Sequence, residues 1–457
     1  MKKLSINIKH KDVITRVLLT VGLLLLFRLG TLMTVPGATV NTGDWASNDQ
    51  SFLAIMNMLG GGGLSTFSIF ALGVSPYITA SIVMQLLSAD VIPPLARLNK
   101  QGNKGRVKVE KITRLVAIFI AILQAIAISM AMISSGYVEV NGMSSGGQWV
   151  DVMVYTLILV AGSMVAIWIA DRITIKGIGN GISLIIFVGI VGSLPSTLTF
   201  AWTTLVGGTS IGVINGVGKF AIYISFLLAL IVAVTFLETS QRKIPLQQTG
   251  KGLSLMHDKE SNLPIKVNPA GVVPVIFASA IIALPLMIAA FFPDAWYAKY
   301  WMETWFALTH WFGLSLFAFL IFGFTFFYSH ININPEETAE NFQKSSTYIV
   351  GVKPGKDTEN HIIKTVNSMA FMGAVFLTTL AILPNIFGMM GVPQSISLGG
   401  TGLIIMVSVS LETVEQLKAR ILASNKKQNE VKIDSKITTS EPTNKKVIEN
   451  DDMSLFN

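Results

Sequence analysis

The chain has 457 residues, 51% of them hydrophobic and 13% charged, with a mean hydropathy of +0.60 and a formal net charge of +8. So few charges cannot cover the surface of a soluble protein of this length, so lipid is the expected solvent. Cysteine is absent, which excludes a disulfide framework and a thiolate metal site.

The chain opens on a polar, basic stretch, Met1 to Asp12, and continues as an apolar run, Val13 to Met33. That run is about as long as a membrane span and longer than a signal-peptide core, and no small-residue cleavage motif follows it directly. Hydropathy predicts ten spans, near 14–34, 68–87, 112–133, 151–170, 181–196, 215–237, 271–291, 312–329, 366–386 and 400–417. Each is close to the ~20 residues that cross the hydrocarbon, and each should be helical because lipid offers backbone polar groups no partner.

Between the first two spans lies a short apolar segment, Phe52 to Leu59, followed by Gly60, Gly61, Gly62 and Gly63. It is too short to cross a bilayer, and four glycines in a row remove helix propensity. It is either an interfacial helix with a flexible loop or a short helix folded back into a cavity, since irregular backbone at membrane depth must line protein or water.

Ten spans divide into five and five, so a duplicated half would form an inverted repeat; internal sequence identity is weak, and the repeat is an architectural expectation. The expected organisation is an N-terminus at 1–13, an N-terminal half at 14–210, and a C-terminal half at 211–423 with large loops at about 238–268 and 330–364. The tail, 424–457, is rich in Lys, Asn, Asp, Glu and Thr and is expected to be disordered.

Of the 34 Lys+Arg, all but Arg28, Lys219 and Lys299 fall on one side of this pattern. Positive charge is retained in the cytoplasm, so both termini are expected inside. Topology thus accounts for the basicity, and nucleic-acid sequence recognition is not expected. All Trp except Trp168 (Trp45, Trp149, Trp202, Trp296, Trp301, Trp305 and Trp311) lie on or near the other side, as in an interfacial aromatic belt.

No catalytic, metal or cofactor site is expected, so the protein is not read as an enzyme. Gly250-Lys251 is followed by Gly252 and lacks the upstream glycine of a phosphate-binding loop. The run Gly177-Ile178-Gly179-Asn180-Gly181 joins two spans rather than a strand and a helix. His10, His257, His310, His330 and His361 sit in loops or at span ends without the spacing of a helical metal pair. There is no Gly-x-Ser-x-Gly elbow. Charge inside spans, the usual mark of ion-coupled transport, is nearly missing: Arg28 lies within the first span, with Glu412 near the inner end of the last. Arg28 reads as a bundle contact or a snorkelling guanidinium, and Glu412 as an interfacial carboxylate.

Six motifs lie in register across these spans. They are Ile69-Phe70-Ala71-Leu72-Gly73-Val74-Ser75-Pro76-Tyr77-Ile78-Thr79-Ala80-Ser81-Ile82 at the second span, Gly177 to Ser183 opening the fifth, and Gln241-Arg242-Lys243-Ile244-Pro245 after the sixth. Leu263-Pro264-Ile265-Lys266-Val267-Asn268 leads to Ala270-Gly271-Val272-Val273-Pro274 at the seventh; Asn334-Pro335-Glu336-Glu337-Thr338-Ala339-Glu340-Asn341 follows the eighth; Gly399-Gly400-Thr401 opens the tenth. The set, over about residues 10–425, closely resembles the SecY/Sec61-alpha family of protein-conducting channels.

The resemblance implies an all-α polytopic protein with an hourglass pore between two five-helix halves, closed at the waist by aliphatic residues. The matching positions are Val74, Ile78, Ile182, Ile186, Ile276 and Ile405. Such a ring seals by dewetting and offers a passing chain no specific hydrogen bonds. Val74 departs from the family's more usual Ile. Phe52 to about Thr66 matches the family's plug, with Phe52, Leu53, Ile55, Met56, Met58 and Leu59 in its helix and Gly60, Gly61, Gly62 and Gly63 as the hinge. The second, third, seventh and eighth spans match the lateral gate, with Gln85 and Asn268 at polar gate-region positions.

The two large loops imply docking of the motor ATPase SecA or a translating ribosome, through Arg242, Lys243, Lys344, Lys353 and Lys356. Lys353, in Gly351-Val352-Lys353-Pro354-Gly355, stands where the family usually has Arg, which keeps the charge but loses the planar fork. The further implied partners are SecE and SecG in a heterotrimer, signal peptides, nascent chains and membrane lipid, in the cytoplasmic membrane of a bacterium. The alternative from the residues alone is a ten-helix secondary transporter of small solutes, which would need buried charge and paired broken helices.

Overall fold

The computed structural model describes residues 11–40, 51–88, 94, 95, 98, 103–134, 136–140, 148–207, 213–248, 261–292, 296, 300, 305–308, 310–389 and 394–439. Trp45, Trp301, Lys299, His10, His257 and Gly250-Lys251-Gly252 lie outside the described residues.

Helices carry the fold: α1 (Lys11–Thr31), α2 (Ser51–Gly60), α3 (Ser75–Leu86), α4 (Asn103–Ser134), α5 (Gln148–Lys176) and α6 (Gly181–Trp202), then α7 (Val213–Thr239), α8 (Val273–Ala290), α9 (Trp311–Asn332), α10 (Pro335–Lys344), α11 (Lys356–Met389) and α12 (Gln394–Thr439). Among the described residues, seven helices are long and apolar enough to cross a membrane, and they fall on α1, α4, α5, α6, α7, α9 and α11. The other expected spans fall on α3, α8 and α12, so the number ten stays an expectation.

Three sequence expectations need correction. The second span, expected from residue 68, is helical only from Ser75, and residues before it are turns. Gly73 is left-handed (φ +50) and Pro76 occupies the first helical turn, so the helix has a built-in start there. The fifth span runs past 196 to Trp202 and continues as a π turn at Thr203–Gly207. The tail is helical as far as Thr439, where composition predicts disorder from Ser424. Its Lys, Gln and Glu are good helix formers and merely extend an existing helix, which avoids the cost of nucleation. Residues 440–457 lie outside the described residues.

Two small sheets join the helices, a feature the all-α expectation leaves out. β1 (Ala38–Val40) pairs antiparallel with β2 (Val138–Val140). β3 (Gln241–Gln248) is central in the second sheet, flanked by β4 (Ser261–Lys266) and β5 (Thr347–Ile349). Ile244 and Ile265 from this sheet, with Ile349, pack on Ile362, Val366 and Met369 of α11 as a separate small core. Pro245 and the charges of β3 hide its strand character in the sequence. One large apolar cluster unites both halves of the helical body. The apolar windows of α1 and α7 are only 11% and 17% buried, which leaves their outer faces for lipid or another helix.

Candidate functional site

Helix α2 sits where four others converge. It touches α3, α6, α8 and α12, the helices that carry or begin at Val74, Ile78, Ile182, Ile186, Ile276 and Ile405. Val74, Ile78, Ile186, Ile276 and Ile405 are buried and Ile182 is partly buried, all in one apolar cluster with Leu53, Ile55, Met56, Leu59 and Met58 of α2. Local chemistry places them. Val74 is the residue before α3, and Asn180 caps α6 by accepting from Ile182 N at 3.1 Å, which starts a helix with Ile182 and Ile186 in its first turns. Phe52 lies in the first turn of α2, its side chain outside the described residues.

The two alternatives for Phe52 to Leu59 are thereby separated: α2 is folded back into the protein. Its exit turn is held by Asn57, whose Oδ1 accepts from Leu64 N at 3.0 Å and Ser65 N at 3.2 Å, while its carbonyl accepts from Gly62 N at 2.8 Å. Sequence reasoning missed Asn57. Its signal was a lone amide in an apolar segment just before a glycine-rich turn, where an Asn side chain commonly accepts from backbone N–H groups.

Two glycine contacts set how closely α2 can sit. Gly61 (φ +84) meets Gly189 of α6, where an added Cβ would lie 2.2 Å from the Gly61 backbone. Gly73 faces Gly60, whose carbonyl oxygen would be 1.9 Å from a Cβ at position 73. The glycine run is therefore a packed seat as well as a turn.

The N- and C-terminal halves meet where α6 packs on α12 and, on another side, along a seam of α3 and α4 against α8. At its edge the Tyr328 hydroxyl of α9 donates to Gln85 Oε1 of α3 at 2.5 Å. Tyr328 stands edge-on to Phe277 of α8, 4.9 Å between centroids. Asn268 is not brought to Gln85: it is buried within the C-terminal half, where its Nδ2 donates to Glu238 Oε1 at 3.1 Å and to Gly271 O at 2.9 Å.

Arg242, Lys243, Lys344, Lys353 and Lys356 are all exposed. Arg242 and Lys243 open β3, Lys344 ends α10 in a 3.1 Å pair with Glu340, and Lys353 tips a turn between Gly351 (φ +84) and Gly355 (φ +99). Asn334 caps α10 by accepting from Glu337 N, which explains the Asn-Pro-Glu-Glu motif.

The charges at span positions are placed differently from what the sequence suggested. Arg28 donates to Gly192 O at 3.0 Å and to Thr31 Oγ1 at 3.3 Å, a bundle contact. Glu412 is exposed and accepts from Gln416. Glu238, not singled out in the sequence, is buried at the end of α7 and accepts from Asn268 and, at 3.1 Å, from Ser408 Oγ. A carboxylate at the polar end of an apolar run looks interfacial until the packing of α12 over it is known.

The SecY family model matches residues 68–414. A protein translocase subunit SecY from Mycoplasma capricolum is 44% identical over 437 residues, covering 93% of this chain and 90% of the relative. Two solved structures share the fold. "The structure of a protein conducting channel" aligns with TM-score 0.63 at 17% identity, over 90% of this chain and 93% of that one. "The plug domain of the SecY protein stablizes the closed state of the translocation channel and maintains a membrane seal" aligns with TM-score 0.63 at 18% identity, over 90% and 92%.

Proposed function

The chain belongs to the SecY family of protein translocase subunits, multi-pass proteins of the bacterial cell membrane, and from that premise we propose how it works as a gated pore for unfolded polypeptides. The small-solute transporter alternative falls with the family assignment. Val74, Ile78, Ile182, Ile186, Ile276 and Ile405 form the waist, and α2 with its glycine turn is the plug that closes it from the outer side. The observation that carries this reading is the packing of α2 against all four helices that bear or begin at those residues. A waist of methyl groups leaves a constriction that water avoids, and it binds no particular sequence.

The seam of α3 and α4 against α8 and α9 is the lateral exit. A hydrophobic segment in the pore samples lipid there and stays if partitioning favours it. Each leucine favours lipid by a few tenths of a kcal/mol, and a central Lys or Asp opposes it by about 3 kcal/mol. Sorting then needs no catalytic group, and energy enters from outside, from SecA, chain elongation or the membrane potential. The exposed basic residues of β3, α10 and the 351–355 turn dock SecA or the ribosome on the cytosolic side, with both termini inside. The poorly covered faces of α1 and α7 receive SecE, lipid, or both, and SecG completes the heterotrimer.

Crosslinking during transport tests the reading. Single cysteines are placed at Ile78, Ile182 and Ile276 in this Cys-free chain, and a secretory precursor with its own cysteine is trapped midway with SecA and ATP. Disulfides from all three positions are expected. A stable, inserted protein with no adducts would overturn the pore assignment.

A further inference from the structure

Resting on the channel reading above, we propose that Glu238 is a positioning residue that couples the cytosolic β3–β4 hairpin to the pore waist. Three chain segments share this one buried carboxylate. Glu238 stands at the end of α7, immediately before β3 begins at Gln241. Asn268, which donates to it at 3.1 Å, follows the end of β4 at Lys266. Ser408, which donates to the same oxygen at 3.1 Å, lies on α12. Both roots of the hairpin are therefore tied to α12 through a single atom, Glu238 Oε1.

The ties lead on to the waist. Ser408 is one helical turn after Ile405 on α12. Asn268 also holds Gly271 O at 2.9 Å, at the entry to α8, which carries Ile276. The root itself is hydrogen-bonded and closely packed. Val267 N donates to Ser240 O at 3.0 Å, closing the hairpin. Gly373 of α11 presses on it, since a Cβ there would meet Val267 O at 2.5 Å. A second tie, Lys266 to Glu415 at 2.5 Å, fixes the end of β4 to α12 about two turns beyond Ser408.

The physical argument is one of cost. A buried carboxylate must keep its hydrogen-bond donors, so the hairpin root, the α8 entry and α12 move together or the carboxylate is left unpaired. Arg242 and Lys243 lie at the base of the hairpin, where a docked partner pulls. A tilt of the hairpin is thus passed to Ile276 and Ile405, through packed elements and hydrogen bonds rather than over open space.

The test uses the protein assembled with SecE and SecG in vesicles, with SecA as the docking probe. Three quantities are measured: SecA affinity, ATP-driven translocation rate at saturating SecA, and resting ion leak. In Glu238→Ala the affinity stays within about twofold and the leak is unchanged, while the saturated rate falls roughly tenfold, a coupling of ordinary size. Glu238→Gln keeps an oxygen for both donors and retains most of the rate. Ser408→Ala added to Glu238→Ala changes little further, because the two act as one unit. A wild-type rate in Glu238→Ala overturns the proposal, as does a loss matched by weaker SecA binding or raised leak. If Glu238→Ala does not insert, Ser408→Ala alone must lower the saturated rate with binding intact, and a wild-type rate there overturns it equally. Failure of the channel reading itself would show instead as missing crosslinks at Ile78, Ile182 and Ile276 in the unaltered protein.

Discussion

The Tyr328 hydroxyl on α9 donates to the Gln85 side-chain oxygen on α3, at 2.5 Å and 243 residues apart in sequence. The bond joins the two halves across the seam assigned to lateral exit. Tyr328→Phe removes only the hydroxyl. A net loss of about 1 kcal/mol is expected for such a bond, a few-fold shift toward the open seam. Signal segments with one or two fewer leucines should then be accepted, since each leucine contributes a few tenths of a kcal/mol. The check is the fraction of precursor processed as leucines are removed; an unchanged threshold rules out the bond as a latch.

The seat of α2 gives a second expectation. Gly189→Ala places a methyl group 2.2 Å from the Gly61 backbone, so α2, the proposed plug, must shift from its seat. Resting ion leak in vesicles should rise, in the same direction as deletion of residues 52–66. In the deletion background the substitution should add little, because its target is gone.

Asn57 gives a third. Asn57→Ala strips the acceptor from Leu64 N and Ser65 N. Leaving donors unpaired in a partly buried turn costs about 1–3 kcal/mol, so the proposed plug should be displaced more readily and leak should rise. Asn57→Asp keeps the acceptor and should leak less than Asn57→Ala in the same conductance assay.

Replacing the isoleucines of the proposed waist, Ile78, Ile186, Ile276 and Ile405, with Gly should also raise leak, by widening the constriction the proposal assigns to them. Translocation of precursor should remain largely intact after deletion of 52–66. Single-channel conductance that stays at the lipid baseline in both kinds of variant contradicts the waist assignment.

Lys353 is exposed at a loop tip, so its contribution to docking should be mainly electrostatic. Lys353→Glu should slow association with SecA and reduce the salt dependence of binding, with a smaller effect on dissociation. Lys353→Arg should bind at least as tightly as the unaltered protein, because the planar fork adds bidentate contacts. Binding kinetics at two salt concentrations distinguish these outcomes.

Much of this protein is written in local composition. Apolar runs of membrane length, the one-sided Lys and Arg, the polar Asn334 cap and the Gly177–Ser183 turn each act through neighbours in sequence, so they are visible without coordinates. The motifs placed Val74, Ile78, Ile182, Ile186, Ile276 and Ile405 on several spans by resemblance, and all six belong to the large apolar cluster that also takes in α2. Asn57, Glu238 and Tyr328 were not visible as functional. Each is an ordinary residue type whose meaning depends on a partner found elsewhere in the fold, such as Ser408 for Glu238, 170 residues away.

Lipid as solvent, helices as the spanning element and the expectation that the basic loops lie inside follow from hydropathy and charge, which act on each segment separately and need no tertiary contact. Whether Phe52–Leu59 lay on the membrane or inside the protein could not be settled that way, because an apolar octet suits both. The fold decided it by bringing Gly61 to Gly189 and Gly60 to Gly73, close approaches that only chain segments without a Cβ can make.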